Sequence, residues 1–218
     1  MAGAVPQWGA LTVGVALAGG LSRRMGGGDK SLRMLGGRPM LAHAIDRLKP
    51  QVGRIVINAN GDPERFGMFG LPVVADPVAG FAGPLAGVLA GFDWAVANAP
   101  DARWIVTAAT DTPFFPEDLV SRFVAAAGHH ETMIALAKSG GNMHPVFGLW
   151  PVALTDDLRT YLVQEENRKV LAWVDRHEMI EVEFAGFSVA GELLDPFFNA
   201  NTPDDMQVAE AILRETAA

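Results

Sequence analysis

The stretch L-T-V-G-V-A-L-A-G-G-L-S-R-R-M-G-G-G-D-K, Leu11 to Lys30, sets the reading of the whole chain. Its first part, Leu11 to Leu17, is a short apolar run of buried-strand composition. Its second part, Gly19 to Lys30, carries five glycines. Glycine removes the Cβ atoms that shield backbone N–H groups, so such a loop can wrap closely around phosphate oxygens. Arg23, Arg24 and Lys30 add three cations to it. A strand opening into a cationic glycine loop is how an open α/β sheet meets an anionic ligand beyond its strand ends. The loop is not a Walker motif, because Asp29 rather than glycine precedes Lys30. It is a poor dinucleotide fingerprint too: Gly26 and Gly28 give G-x-G, but Ser31 stands three positions on, where no helix is expected.

Outward from this stretch, strands and helices alternate. Met40, Leu41, Ala44, Ile45 and Leu48 share one helical face. Arg54 to Ala59 and Leu71 to Ala75 are apolar runs of central-strand type, and Pro84 to Ala97 predicts a helix opened by Gly83-Pro84. Arg103 to Ala109 is a further strand, and Pro116-Glu117-Asp118 has the composition of a helix N-terminus. Thr132 to Ala137 and Pro145 to Trp150 flank a Ser139-Gly140-Gly141-Asn142 turn and predict antiparallel pairing. Leu154, Leu158, Tyr161 and Leu162 make a helix stripe, Met179 to Phe184 alternates as a strand, and Thr202-Pro203-Asp204-Asp205 is a capped helix start. The order predicts an α/β fold: a single-domain, Rossmann-like three-layer sandwich over residues 1–218, with a mainly parallel central sheet and a short antiparallel portion in the second half.

Composition narrows the function. The 218 residues carry 17 Lys and Arg against 25 Asp and Glu, a net charge of −8, which argues against a general nucleic-acid binder. No cysteine is present, which excludes disulfides, thiolate metal sites and a cysteine nucleophile. The five histidines show no ligand spacing. Met1 to Ser22 is uncharged but lacks a positive leading region and is only weakly apolar, so a soluble, cytoplasmic protein without membrane contact is expected.

The chemistry-bearing residues fall where strands end. Leu17, Ala18, Gly19 and Gly20 close the first strand, Asn58 the second, Asp76 the third and Asp111 the fourth. A lone carboxylate such as Asp111 can share Mg²⁺ with substrate phosphates, or can be a turn residue ahead of Pro113. Asp76 before Pro77 has the same alternative. The Asn58 amide offers both donor and acceptor to a base or ribose, or serves a turn.

The ordered set of motifs resembles the molybdenum cofactor guanylyltransferases (MobA family), within the sugar-nucleotide-transferase-like nucleotidyltransferases. It comprises L-A-G-G-L-S-R-R-M-G-G-G-D-K from Leu17, N-A-N at Asn58 to Asn60, D-P at Asp76, G-P-L-A-G from Gly83 and T-D-T-P-F from Thr110. H-P-V-F from His144 and F-N-A-N-T-P-D-D from Phe198 complete it. The likeness departs at Thr110, often cysteine in the family, and at the longer Met25-to-Asp29 spacing. The resemblance implies transfer of GMP from GTP to molybdenum-molybdopterin, with Mg²⁺ and release of pyrophosphate. Residues 11–115 would form the GTP-binding half and 116–218 the acceptor-binding half. Leu17, Ala18, Gly19, Gly20 and Lys30 would bind the nucleotide, with Asn58 and Asp76 at the nucleoside, Asp111 at the metal, and Arg24 and Lys30 as catalytic cations. His144, Arg168, Lys169, Asn199 and Asn201 lie in the segments resembling the acceptor side. For these, a turn histidine and a solvated helix end at Arg168-Lys169 are competing readings. Transient contacts with other cofactor-biosynthesis proteins or recipient molybdoenzymes are also implied. The alternatives are a cytidylyltransferase of the same cofactor, a sugar-phosphate nucleotidyltransferase, and a nucleotide-binding subunit without catalysis.

Overall fold

The computed structural model describes residues 7–19, 29–78, 83–128, 130–164, 168–189 and 191–216. In chain order these give α1 (Gln7–Ala10), β1 (Thr12–Leu17), β2 (Met34–Leu35), β3 (Arg38–Pro39), α2 (Met40–Leu48), β4 (Arg54–Asn58), β5 (Val73–Val74) and α3 (Pro84–Asn98). There follow β6 (Trp104–Ala109), α4 (Leu119–Ala127), β7 (Ile134–Ser139), β8 (Asn142–Pro151), α5 (Thr155–Gln164) and α6 (Val170–Val174). The last elements are β9 (Met179–Glu183), β10 (Phe187–Val189), β11 (Glu192–Leu194) and α7 (Pro203–Thr216).

The central sheet runs β5-β4-β1-β6-β8-β7-β9. Its β5, β4, β1 and β6 are parallel, β8 is antiparallel to both β6 and β7, and β9 is parallel to β7. Strand side chains alternate between the two faces, as a period of two requires. Ile55 and Ile57, Val106 and Ala108, and Ala135 and Ala137 meet Leu41, Ile45, Leu48, Leu119, Val120 and Phe123 from α2 and α4. Val13 and Val15, Val56, Ile105, and Ile134 and Leu136 meet Leu85, Leu89 and Phe92 of α3 with Leu158, Tyr161 and Trp173 of α5 and α6. Helices on both faces of a mainly parallel sheet are the expected architecture. A third apolar cluster joins Leu35, Met40 and Phe114 to Ala200, Ala209 and Ile212, which seats α7 and the segment before it against the first half of the chain.

Two details differ from the expectation. A short 3-10 turn, Lys30–Leu32, begins beside Ser31 where no helix was expected, because the Asp29 side chain accepts from the Ser31 backbone N–H. The β10–β11 and β2–β3 hairpins are strands of two or three residues, too short to leave a periodic trace. Arg168-Lys169 does stand at a solvated helix end, the N-terminal one: Lys169 is exposed and caps α6. No helix among the described residues is long and apolar enough to cross a membrane.

Candidate active site

The parallel strands β1, β4 and β6 stop together, at Leu17, Asn58 and Ala109, and their backbones are stitched just beyond. Ala18 N–H donates to the Asn58 carbonyl at 2.9 Å, and the Thr110 hydroxyl donates to the Leu17 carbonyl at 3.2 Å. Leu17, Ala18 and Gly19 therefore line one rim with Asn58 and Asp111. Gly20 and Arg24 lie outside the described residues.

Asn58 is buried, and both of its amide protons are taken by the protein. Its Nδ2 donates to Asp76 Oδ1 at 2.9 Å and to the Val74 carbonyl at 3.3 Å. Asn60 completes the grip: its Nδ2 donates to Asp76 Oδ2 at 2.7 Å, and its Oδ1 accepts from the Asp76 backbone N–H at 2.8 Å. With its donors spent, Asn58 offers a ligand only its Oδ1, while Asp76 is held in one orientation as an acceptor. Arg65 links this corner to the end of the glycine loop, donating to the Asn60 carbonyl at 2.6 Å and pairing with Asp29 at 3.1 Å.

The second corner joins distant parts of the chain. Lys30 Nζ is 2.6 Å from Asp111 Oδ2 and also donates to Asn201 Oδ1. The Thr112 hydroxyl donates to Asn199 Oδ1 at 2.8 Å, and Ala200 N–H donates to the Asp111 carbonyl at 2.8 Å. Asp205 Oδ2 accepts from the N–H groups of Asn201 and Thr202. The Thr202 and Asn201 hydrogen bonds and the nearby Lys30 charge hold the Asp205 carboxyl below its usual range, against an opposing push from desolvation. The structure thus brings Lys30, Asp111, Asn199 and Asn201 into one cluster.

The other residues expected on the acceptor side lie elsewhere. His144 stacks on Phe197 with ring centroids 4.4 Å apart, two residues before Asn199. Arg168 sits beside the start of α3, its carbonyl 3.9 Å from where a Cβ on Gly83 would stand. Lys169 is exposed.

The metal-binding capacity is limited and specific. Among the described residues no group of three or more His, Cys, Asp or Glu is placed to hold a metal. The Asp111 carboxylate, with the amide oxygens of Asn201 and Asn199 nearby, is an oxygen-only set with a single charge. Such a set suits a hard divalent cation that keeps waters and shares phosphate oxygens, and does not suit a protein-caged metal.

Sequence reading missed Arg65, Thr112 and Asp195, and took Asp205 only as a helix-start acid and Ser139 only as a turn residue. Thr112 was within reach, since it flanks Asp111 in the same motif. Arg65 and Asp195 act across the fold and leave no local pattern.

A carboxylate gripped by two asparagines and a Lys–Asp pair thus stand together at the carboxyl ends of a mainly parallel sheet, and the class of protein they sit in is that of the nucleotidyltransferases. The model of the MobA-like NTP transferase domain matches residues 14–180, and the chain belongs to that family. A molybdenum cofactor guanylyltransferase of Mesorhizobium japonicum is 54% identical over 201 residues, covering 92% of this chain and 95% of its own. Among solved structures, molybdopterin-guanine dinucleotide biosynthesis protein A of Archaeoglobus fulgidus superposes with a TM-score of 0.69 at 21% identity, over 93% of this chain and 98% of that one. The 4-diphosphocytidyl-2C-methyl-D-erythritol synthase of Anaerococcus prevotii gives 0.68 at 15% identity, over 94% and 97%. The last two speak to the fold alone.

Proposed function

We propose that the chain transfers GMP from GTP to the phosphate of molybdenum-molybdopterin, forming the guanine dinucleotide and releasing pyrophosphate. The reading rests on the Lys30–Asp111–Asn201 cluster at the strand ends and on the likeness to relatives of that name. A phosphate monoester has a second pKa of about 6 and is largely ionised near neutral pH, so its oxygen attacks the α-phosphorus without a general base. The bond from the α-phosphorus to the bridging oxygen breaks, and the electron pair leaves with pyrophosphate. Two anions must be held together while charge grows on the leaving group. Lys30, on a flexible four-carbon stem, can exchange Asp111 for a triphosphate oxygen. Asp111 would hold Mg²⁺, which would neutralise triphosphate charge. Asn58 fixes Asp76 for the nucleoside, and Asn199 and Asn201 face the acceptor. Transfer then occurs at the seam between residues 11–115 and 116–218. A cytoplasmic location and transient contact with cofactor-biosynthesis proteins or recipient molybdoenzymes go with this role.

The test incubates the protein with each of the four NTPs, Mg²⁺ and molybdopterin and follows pyrophosphate. GTP is expected to lead by kcat/KM, and parity with CTP would move the chain to the cytidylyl sister class. In the same assay Asp111→Asn, which keeps shape and loses charge, is expected to lower turnover at least ~100-fold with folding little changed. Near-normal turnover would place the metal elsewhere.

A further inference from the structure

Beside the site runs a polar chain from the buried Ser139 through the half-buried His144 to the exposed Asp195, and its role is not catalytic in form. Ser139, the last residue of β7, is 2% exposed. Its hydroxyl donates to Asp195 Oδ1 at 2.7 Å and lies 2.6 Å from His144 Nε2. A carboxylate only accepts, and a serine has one proton to give, so Ser139 donates to Asp195. His144 Nε2 must then carry a proton and donate to Ser139. The direction runs His144 to Ser139 to Asp195. This is the reverse of a nucleophilic triad, in which the histidine takes the serine proton, so Ser139 is not an activated nucleophile.

The chain ends on a backbone that matters. Asp195 Oδ1 also accepts from Phe197 N–H at 2.8 Å, and the Asp195 carbonyl accepts from Phe198 N–H at 3.0 Å. Phe197 carries the stacked His144 ring and also packs on Phe147 and Phe184. Two and four residues further on, Asn199 meets Thr112 and Asn201 meets Lys30. The β7–β8 hairpin is built to present these groups. One step along β7, Leu136 to Ala137, spans Gly148 to His144 on β8, so Pro145, Val146 and Phe147 form a bulge. Bulges of this kind re-aim a side chain, and here proline lacks the N–H a regular ladder needs.

We propose that Ser139, His144 and Asp195 form a latch that sets the position of residues 195–201 for the phosphorylated acceptor. They act as positioning residues, through Asn199 and Asn201, and this role rests on the transfer reaction proposed above. Lys30 keeps its pair with Asp111 when Asn201 shifts, so the nucleotide side is largely spared.

The test compares Ser139→Ala, Asp195→Ala and Asp195→Asn with the unaltered full chain. Asp195→Asn keeps an acceptor oxygen for both Ser139 and Phe197 N–H. Hydrogen–deuterium exchange of peptides covering 195–202 is expected to quicken at least tenfold in the two alanine variants and to stay near the original in Asp195→Asn, with β1 and β6 unchanged. In the pyrophosphate assay the alanine variants should raise the acceptor KM about tenfold and the GTP KM less than threefold. Unchanged exchange in Ser139→Ala overturns the latch, and quickened exchange with an unchanged acceptor KM overturns its link to the acceptor. A parent chain that makes no pyrophosphate would sink the transfer reading alone, because the exchange arm reads the latch without turnover.

Discussion

Lys30 is the residue that joins Asp111 to Asn201, much further along the chain. Its ammonium and the Asp111 carboxylate are each about one-quarter exposed, at 24% and 25%. A pair this wet contributes little to stability, under ~1 kcal/mol. Lys30→Ala should therefore leave the melting temperature almost unmoved. Its effect on activity should be large: kcat falls together with GTP binding if the ammonium meets charge developing on pyrophosphate. Steady-state kinetics with GTP checks this, and unchanged kcat and KM would remove Lys30 from the site. Lys30 was visible in the sequence because it closes a cationic glycine loop, and Asp111 because it follows a run of apolar strand residues, where a charge has no packing role. Their being partners was not visible, nor was the Asn201 contact. Neither leaves any trace in local spacing.

At the level of the element, α3 shows how a helix can shape the site through its glycines. A Cβ on Gly87 would come within 2.6 Å of both Asn58 Oδ1 and Leu17 Cδ2, and one on Gly91 within 2.6 Å of Val15 Cγ2. The two glycines, four apart on one face, let α3 lie close under β1 and β4. For Gly87→Ala two effects oppose. Alanine favours a helix interior by about 1 kcal/mol over glycine, while overpacking costs about 1–3 kcal/mol. Net stability should shift by only a few degrees in melting temperature. Leu17 can swing its methyl away, whereas Asn58 is tied to Asp76 and Val74, so the displacement falls on the Asn58–Asp76 pair proposed for the nucleoside. A GTP KM raised roughly tenfold or more is expected, and an unchanged one would show that Asn58 tolerates displacement. The helices and longer strands were legible from period and caps. For α7, the box of Thr202 and Asp205, each accepting from the other's backbone N–H, matches its sequence signature. The five-residue α6 and the three-residue strands β10 and β11 were not, because nothing repeats within so short a run.

Over the whole molecule, acid should loosen the fold in two steps. Burial pushes the His144 imidazole below its ordinary value, with Asp195 and Glu183 opposing in part. A histidine with a lowered folded pKa favours the neutral form on folding. Its contribution is thus complete above the unfolded value of about 6.5, and is lost as pH falls through the folded one. Asp205, lowered by its hydrogen bonds, contributes above the unfolded carboxylate value and loses that contribution only in stronger acid. Melting temperatures from pH 7.5 to 5 should therefore fall more steeply for the parent chain than for His144→Gln, and parallel curves would rule His144 out as the cause. The layered architecture was legible because the central strands are mainly apolar and alternate with helices along the chain, so both faces of the sheet must be covered. The sheet order was less so: β8 enters between β6 and β7, and only the turn at Gly140-Gly141 announced the reversal.

The contact between Lys30 and Asn201 spans 171 positions, and Gly36 N–H reaches Glu210 across 174. A ribosome extends a chain at roughly 5–20 residues per second. The lysine therefore emerges about 10 to 30 s before the amide that will hold it. The early sheet of β1, β4 and β6 can assemble in that interval, but the cluster cannot. A nascent chain consequently holds Lys30 and Asp111 ready well before Asn199 and Asn201 exist to join them.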